Sequence, residues 1–296
     1  TLAGIYNGTD GTLAACAGLP GWGSPMGEGG AAGTTTTSCN GSEDPNEKLG
    51  PGTEAGELAA THWLGADDTA EPHLFTVFFE NLATATAAAR DVVVTDTLDT
   101  TVFDPATFAF AYGGVADQSA TVDAGLSGTE SVQTASFDLD LRPRLEVAAH
   151  VEAQFDPATG VIRWDLSTLD PETGEEPTDI LAGFLPPNDD DGNGEGYVGY
   201  RVRLLPDLAT DAASADAARI VFDANAAIDT NPWAVGVDAE PPQSAVAPFP
   251  SPTADAEAFE VVWGGDDAAS GTPGSGIATY DVYVAINGDT PVLWLE

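Results

Sequence analysis

The chain has 296 residues, of which 48 are Asp or Glu and only 8 are Lys or Arg, for a formal net charge of −40 at pH 7. So acidic a surface repels a phosphate backbone, which needs a basic footprint to displace its counterions, and it suits an anionic bilayer no better; nucleic-acid and membrane-surface partners are excluded. No apolar run approaches the roughly 20 residues of a membrane helix, so membrane insertion is not expected.

The length suits one or two domains of about 100–200 residues each. Self-repulsion on this scale calls for cations, in the medium or bound at sites, and a calcium-rich or saline surrounding fits. Lys48 is the one lysine.

Residues 1–45 are rich in Gly, Ala and Thr and show no strand or helix period, so they read as an irregular segment. They hold both cysteines, Cys16 and Cys39. A disulfide between them is expected, because it would limit the freedom of a stretch with little core; a zinc pair would need closer spacing and nearby histidines. Two acceptor sequons, at Asn7 and Asn40, mark the same segment as a candidate for glycosylation in an exported protein. Thr1-Leu2-Ala3-Gly4 shows no signal-peptide pattern, so the start reads as an internal cut with any export signal upstream.

Regular structure is expected from His73 onward. Residues 73–80 and 91–96 carry the β-branched and aromatic content of strands, and shorter candidates follow at 108–112, 135–139, 145–147, 161–164 and 197–204. In the last, Val198, Tyr200, Val202 and Leu204 alternate with Gly199, Arg201 and Arg203, which predicts one buried and one wet face. An apolar-Asp-Pro-x-Thr pattern recurs at Asp104, Asp156 and Asp170 and reads as turns, with Asp bonding its own downstream backbone and Pro fixing φ. Short strands punctuated this way argue for a sandwich. The Ala-rich run 209–218 has helical propensity, but Thr210, Asp211, Ser214 and Asp216 interrupt any apolar face.

Pro241-Pro242 reads as a stiff linker, placing a boundary near residue 239. Strands are expected beyond it at 258–263 and 277–284. Residues 239–296 are too few for a full sandwich of about 100 residues, so this second β-domain reads as truncated.

Four separated motifs resemble the bacterial conserved-repeat surface domains, including the CARDB-like repeats of large secreted proteins. They are the lead-in Ser42-Glu43-Asp44-Pro45-Asn46-Glu47-Lys48, the segment from Asn81 to Asp99 with Val92-Val93-Val94-Thr95-Asp96-Thr97-Leu98, the strand Ile162-Arg163-Trp164-Asp165-Leu166-Ser167-Thr168-Leu169, and the closing run Ala217-Ala218-Arg219-Ile220-Val221-Phe222-Asp223 through Thr230-Asn231. The resemblance covers about residues 42–238. Ala227 stands where the family usually has Pro, and residues 211–216 depart from its pattern. Beyond residue 240, Val262-Trp263-Gly264-Gly265-Asp266 and Tyr280-Asp281-Val282-Tyr283-Val284 look like the first half of a fibronectin type III module. The resemblance implies an immunoglobulin-like sandwich serving as a spacer or display unit, with no catalytic residues to carry over. The expected fold class is therefore all-β, with an irregular segment at 1–45, an immunoglobulin-like sandwich at 46–238 and a partial fibronectin type III-like domain at 239–296.

The best metal-site candidate lies in residues 188–196, where Asp189, Asp191, Asn193 and Glu195 place oxygen ligands at alternating positions among glycines, a pattern suited to calcium. The acidic loop 264–271 has fewer ligands and reads as an ordinary connection. Asp96 and Asp99 can also face a cation, although Asx-turn duty suits them better. His62, His73 and His150 lie in no recognisable catalytic context, and paired carboxylates discriminate nothing in so acidic a chain. Trp63, Trp164, Trp233 and Trp263 are candidates for a sugar-stacking platform, but Trp164 and Trp263 fall within strand patterns and read as core, and Trp233 is the one expected at a surface or joint.

Taken together, these features lead us to expect a non-catalytic, calcium-stabilised structural module of a secreted or cell-surface bacterial protein, one whose partners are neighbouring domains or further copies of itself, assembling as a filament or surface layer. Two alternatives stand beside it, a carbohydrate- or surface-binding adhesin module with a glycan as ligand, and an accessory domain of a secreted hydrolase.

Overall fold

The computed structural model describes residues 46–54, 61–65, 70–122, 132–210, 212–248, 260–269, 272–285 and 288–295, together with the short paired strands Ile5–Tyr6 and Leu13–Ala14. Every regular element among the described residues is a β-strand, so the chain is all-β, and no helix among them is long and apolar enough to cross a membrane. Cys16, Cys39, Asn7 and Asn40 lie outside the described residues.

The chain divides into two compact units. The first gathers Thr1–Pro51, Glu71–Leu204 and Ala215–Trp233; the second gathers Gly52–Ala70, Leu205–Ser214 and Ala234–Glu296. The second unit thus draws on segments well before the expected boundary at 239.

Two antiparallel sheets make up the first unit. One has six strands in the order Gln133–Asp140, Ala148–Asp156, Val161–Leu169, Asp91–Thr97, Arg219–Phe222, Ile228–Asp229; the other has five, in the order Glu47–Leu49, His73–Glu80, Glu195–Leu204, Phe103–Val115, Gln118–Thr121. Alternation sets their faces. Ile162, Trp164 and Leu166 of Val161–Leu169 are buried while Arg163 is exposed, and Val198, Tyr200, Val202 and Leu204 are buried while Arg201 and Arg203 are exposed. The inner faces meet through aromatic rings: Phe108 stacks on Phe155 with centroids 3.9 Å apart, and Phe110 and Tyr200 both meet Trp164 at 6.0 Å.

The recurrent Asp-Pro pattern works as expected at two of its three sites. Asp156 Oδ1 accepts from Ala158 N–H and Asp170 Oδ1 from Glu172 N–H, each turn closing on a glycine of positive φ, Gly160 and Gly174. At Asp104 the same side-chain bond forms, to Ala106 N–H, but inside the long strand Phe103–Val115. There Thr107 Oγ1 accepts from Arg203 N–H beside a register shift between Arg201 and Arg203, so the pattern makes a bulge instead of a turn.

Two other expectations are corrected. The strand expected at 145–147 begins only at Ala148 and runs to Asp156; its buried positions are Ala148, Ala149, Val151, Ala153 and Phe155, and its small and polar residues hid the alternation. The Ala-rich run, whose polar residues argued against a helix, forms a strand at Ala213–Asp216. Of the two strands expected beyond 240, the described residues form Trp263–Asp266 and Val282–Val284, each shorter than or offset from the expected segment, and residues 258–259 lie outside the described residues.

In the second unit residues 234–238 run parallel to Thr61–Gly65, which also pairs with Thr53–Glu54. Its apolar centre is Trp63, Leu64, Val235 and Val237. Two hairpins follow, Gln243–Val246 with Trp263–Asp266 and Val282–Val284 with Val292–Leu295. Trp263 is only partly buried, unlike Trp164.

Trp164 fills the centre of the six-stranded sheet's inner face. Trp164→Ala should therefore destabilise the first unit by about 3–5 kcal/mol in a denaturant titration; a loss under about 1 kcal/mol would mean that the facing sheets do not close on it.

Candidate functional site

The feature that stands out chemically is the position of the only lysine. Glu47–Leu49 pairs with the edge of His73–Glu80, with Lys48 opposite Val77, and this register turns the Lys48 side chain inward. Its exposure is zero. The ammonium Nζ lies 2.8 Å from Asp96 Oδ1 and 2.5 Å from Asp216 Oδ2, and 5.3 Å from the centre of the Phe75 ring.

Each partner is delivered by a different strand. Asp96 sits in Asp91–Thr97 with its side chain fully buried; it accepts from Thr97 N–H at 2.9 Å and from the Tyr200 hydroxyl at 3.0 Å. Tyr200 comes from the middle of Glu195–Leu204, stacked on Phe75 with centroids 5.0 Å apart. Asp216 ends the strand Ala213–Asp216 and keeps about a quarter of its side chain exposed, at 27%. Asn231 fixes the lysine's main chain: its Oδ1 accepts from Lys48 N–H at 2.9 Å and its Nδ2 donates to Lys48 O at 3.1 Å, so a side-chain amide takes the place of a neighbouring strand. Beside it, Trp233 Nε1 donates to Pro51 O, and a Cβ on Gly50 would come within 2.5 Å of that nitrogen, so only glycine fits there.

The two carboxyl groups are driven apart in acidity. Burial acts to raise the Asp96 pKa, but the Lys48 charge and hydrogen bonds from Asp216, Lys48 and Thr97 outweigh it and hold Asp96 below the usual value. Asp216 is pushed up to about 7, first by burial and then by its hydrogen bond to Asp96 and the charge there, against the opposing pull of Lys48. Burial and the two carboxyl groups also push the Tyr200 phenol well above its ordinary range, so it stays a donor. The cluster therefore sets Lys48 against one carboxyl group that favours ionisation, Asp96, and one that gives up its proton only near neutral pH, Asp216.

The calcium candidates are arranged differently from expectation. Asp189 Oδ1 accepts from the backbone N–H groups of Asp191 and Asn193, and both Asp189 oxygens receive the Asn193 side-chain amide, at 3.0 and 2.8 Å. Asn193 Oδ1 accepts from Arg144 at 2.9 Å, and Glu195 accepts from Asn188 at 3.1 Å. The positive φ of Gly192 swings Asn193 back onto Asp189, so the loop is closed by its own bonds. Hydrogen bonds from Asn193 lower the Asp189 pKa, whereas burial raises that of Glu195. Asp189, Asp191, Asn193 and Glu195 are not drawn into one ligand set, and among the described residues no group of three or more His, Cys, Asp or Glu side chains is placed to hold a metal ion.

The remaining candidates are dispersed. His73 is buried, His62 Nδ1 lies 3.1 Å from Ala234 O, and His150 Nδ1 lies 2.5 Å from Asp138 on an outer face. Asp99 caps a turn through Thr101 N–H, and Asp266 bonds Ala268 N–H in the loop at 264–271. Of the Asp96 and Asp99 pair, Asp96 does face a cation, and that cation is Lys48. The count of one lysine and the Asp of the Val-Thr-Asp-Thr-Leu motif were visible in the sequence; Asp216 and Tyr200 carried no signal of their own.

No family model and no curated protein matches the chain. Among solved structures it is similar to a collagen-binding domain from a Staphylococcus aureus adhesin, with a TM-score of 0.28 and 9% identity over 66% of this chain and 98% of that one.

Removing one member of a buried ionic cluster strands the others. Lys48→Met should destabilise the first unit by about 3–5 kcal/mol, because Asp96 is left without its cation. Tyr200→Phe removes one donor to the same carboxylate and should cost about 1.5–3 kcal/mol. Denaturant titrations of both variants check this; values within experimental error of zero would contradict the burial of the cluster.

Proposed function

We propose that the chain is a non-catalytic structural module of a large secreted or cell-surface bacterial protein, with an immunoglobulin-like sandwich of the conserved-repeat type followed by a fibronectin type III-like segment. One observation carries this reading: the Lys48 cluster, in which the chemistry-bearing residues of the interior serve to tie strands of two facing sheets together. The convergence of three quoted motifs there, through Lys48, Asp96 and Asn231, supports the proposed repeat type. The partners in this reading are neighbouring domains or further copies of the chain. Its support is the second unit's last hairpin, where Tyr283, Val292, Leu293 and Trp294 are exposed together.

Calcium enters as one cation among those that screen a surplus of carboxylates. A chelator should then lower the melting temperature no more than sodium chloride can restore. A chelator-specific loss that Asp191→Ala reproduces would instead establish a site in the loop at 188–196.

The adhesin alternative is separated by a glycan array probed with the whole chain in calcium. The structural reading expects no glycan above background. Saturable binding lost on substitution of Trp63, Trp233 or Trp263 would replace it.

A further inference from the structure

We propose that Lys48 and Asp216 join in an intramolecular amide bond, formed in the folded interior with Asp96 as the proton acceptor. The argument starts from what such a condensation requires: an amine and a carboxyl group held in contact, a base beside the amine, and shelter from water.

The first condition is met by geometry. Lys48 Nζ and Asp216 Oδ2 are 2.5 Å apart, and the lysine cannot wander, because its backbone is held by Asn231 on one side and by the pairing with Val77 on the other. The second is met by Asp96, whose Oδ1 is 2.8 Å from the same nitrogen and whose Oδ2 is anchored by Tyr200. Shelter is complete at Lys48 and Asp96, whose side chains have no exposure. The acidity order fits the roles: Asp216 holds its proton near neutral pH and is the electrophile, while Asp96 stays ionised and is the base.

The step balances without any further reagent. Asp96 takes one proton from the ammonium, and the neutral Nζ adds to Cγ of the protonated Asp216 carboxyl. A C–N bond forms, the C–O bond to the hydroxyl breaks, and that hydroxyl leaves as water with a second proton from nitrogen. The products are a secondary amide, one water and a protonated Asp96; nothing is oxidised or reduced. The net charge of the cluster is unchanged, but a buried cation and a buried carboxylate have both been discharged, which removes their desolvation penalty.

Residue usage points the same way. The other 7 basic residues are all arginine, whose guanidinium is always protonated and is not a nucleophile. The one amine-bearing side chain of the chain is the one placed between two carboxyl groups. The bond would close a loop between positions 168 apart in sequence, so that a pull applied outside residues 48 and 216 could not extend the strands between them.

Intact-mass spectrometry of the denatured full chain tests the proposal, with a tryptic map to locate the change. The expected mass is low by one water. Trypsin should fail to cut after Lys48 and should release a branched peptide that joins the Lys48 segment, ending at Arg90, to residues 204–219. Asp96→Ala, Lys48→Arg and Asp216→Ala should each restore the full mass. Asp216→Asn should still form the bond but lose ammonia in place of water, which keeps the test open if the other variants fold poorly. A wild-type chain of full mass that is cut after Lys48 would overturn the proposal. So would loss of a water on a linear peptide, such as the one that holds Asp191-Gly192.

Discussion

The burial of one ammonium group constrains the rest of the first unit. Moving an ion of this kind out of water costs several kcal/mol even after relaxation, and the cost is met only if partners arrive with good geometry. Lys48 has zero exposure, so the docked position of Glu47–Leu49 depends on Asp96, Asp216 and the ring of Phe75 together. Asp96 in turn needs Tyr200, and the lysine backbone needs Asn231. A single side chain thus demands the correct relative placement of strands from positions 47, 91, 195 and 213 onward. A well-packed apolar residue would commonly serve stability as well or better, so the cluster is accounted for by register or by chemistry and not by stability alone.

The same charge stands apart electrostatically. With 48 acidic and 8 basic residues, the surface is a field of carboxylates in which the arginines form scattered pairs, such as Arg163 with Asp165 and Arg219 with Asp229. Such exposed pairs contribute little. The stability that offsets surface repulsion comes from the apolar centre, where Phe108, Phe155, Trp164 and Tyr200 interlock between the sheets. The Lys48 cluster adds specificity to that centre by penalising any arrangement that leaves its charges unpaired.

Much of this was legible from alternation. The strands at His73–Glu80 and Glu195–Leu204 follow from their apolar periodicity, and the Asp156 and Asp170 turns follow from side-chain and proline chemistry. The Asp104 copy of the pattern became a bulge because Thr107 met Arg203 across the sheet, a partner no local pattern specifies. The second unit's use of Thr61–Gly65 was hidden for a related reason: its parallel pairing joins residues more than 170 positions apart. Lys48 and Asp96 could be singled out by count and motif, but their meeting with Asp216 and Tyr200 is long-range and leaves no local trace. In the acidic loop the amide of Asn193 donates as well as accepts, and it turns that capacity on Asp189, an arrangement that the alternation of oxygen-bearing residues does not specify.

Because the chain has one lysine, nuclear magnetic resonance with lysine labelled at Nζ yields a single side-chain signal to interrogate. The buried cluster predicts that protons on this nitrogen exchange slowly with water and show cross-relaxation to the rings of Phe75 and Tyr200. A rapidly exchanging signal without contact to either ring would place Lys48 at the surface and contradict the structure at its centre.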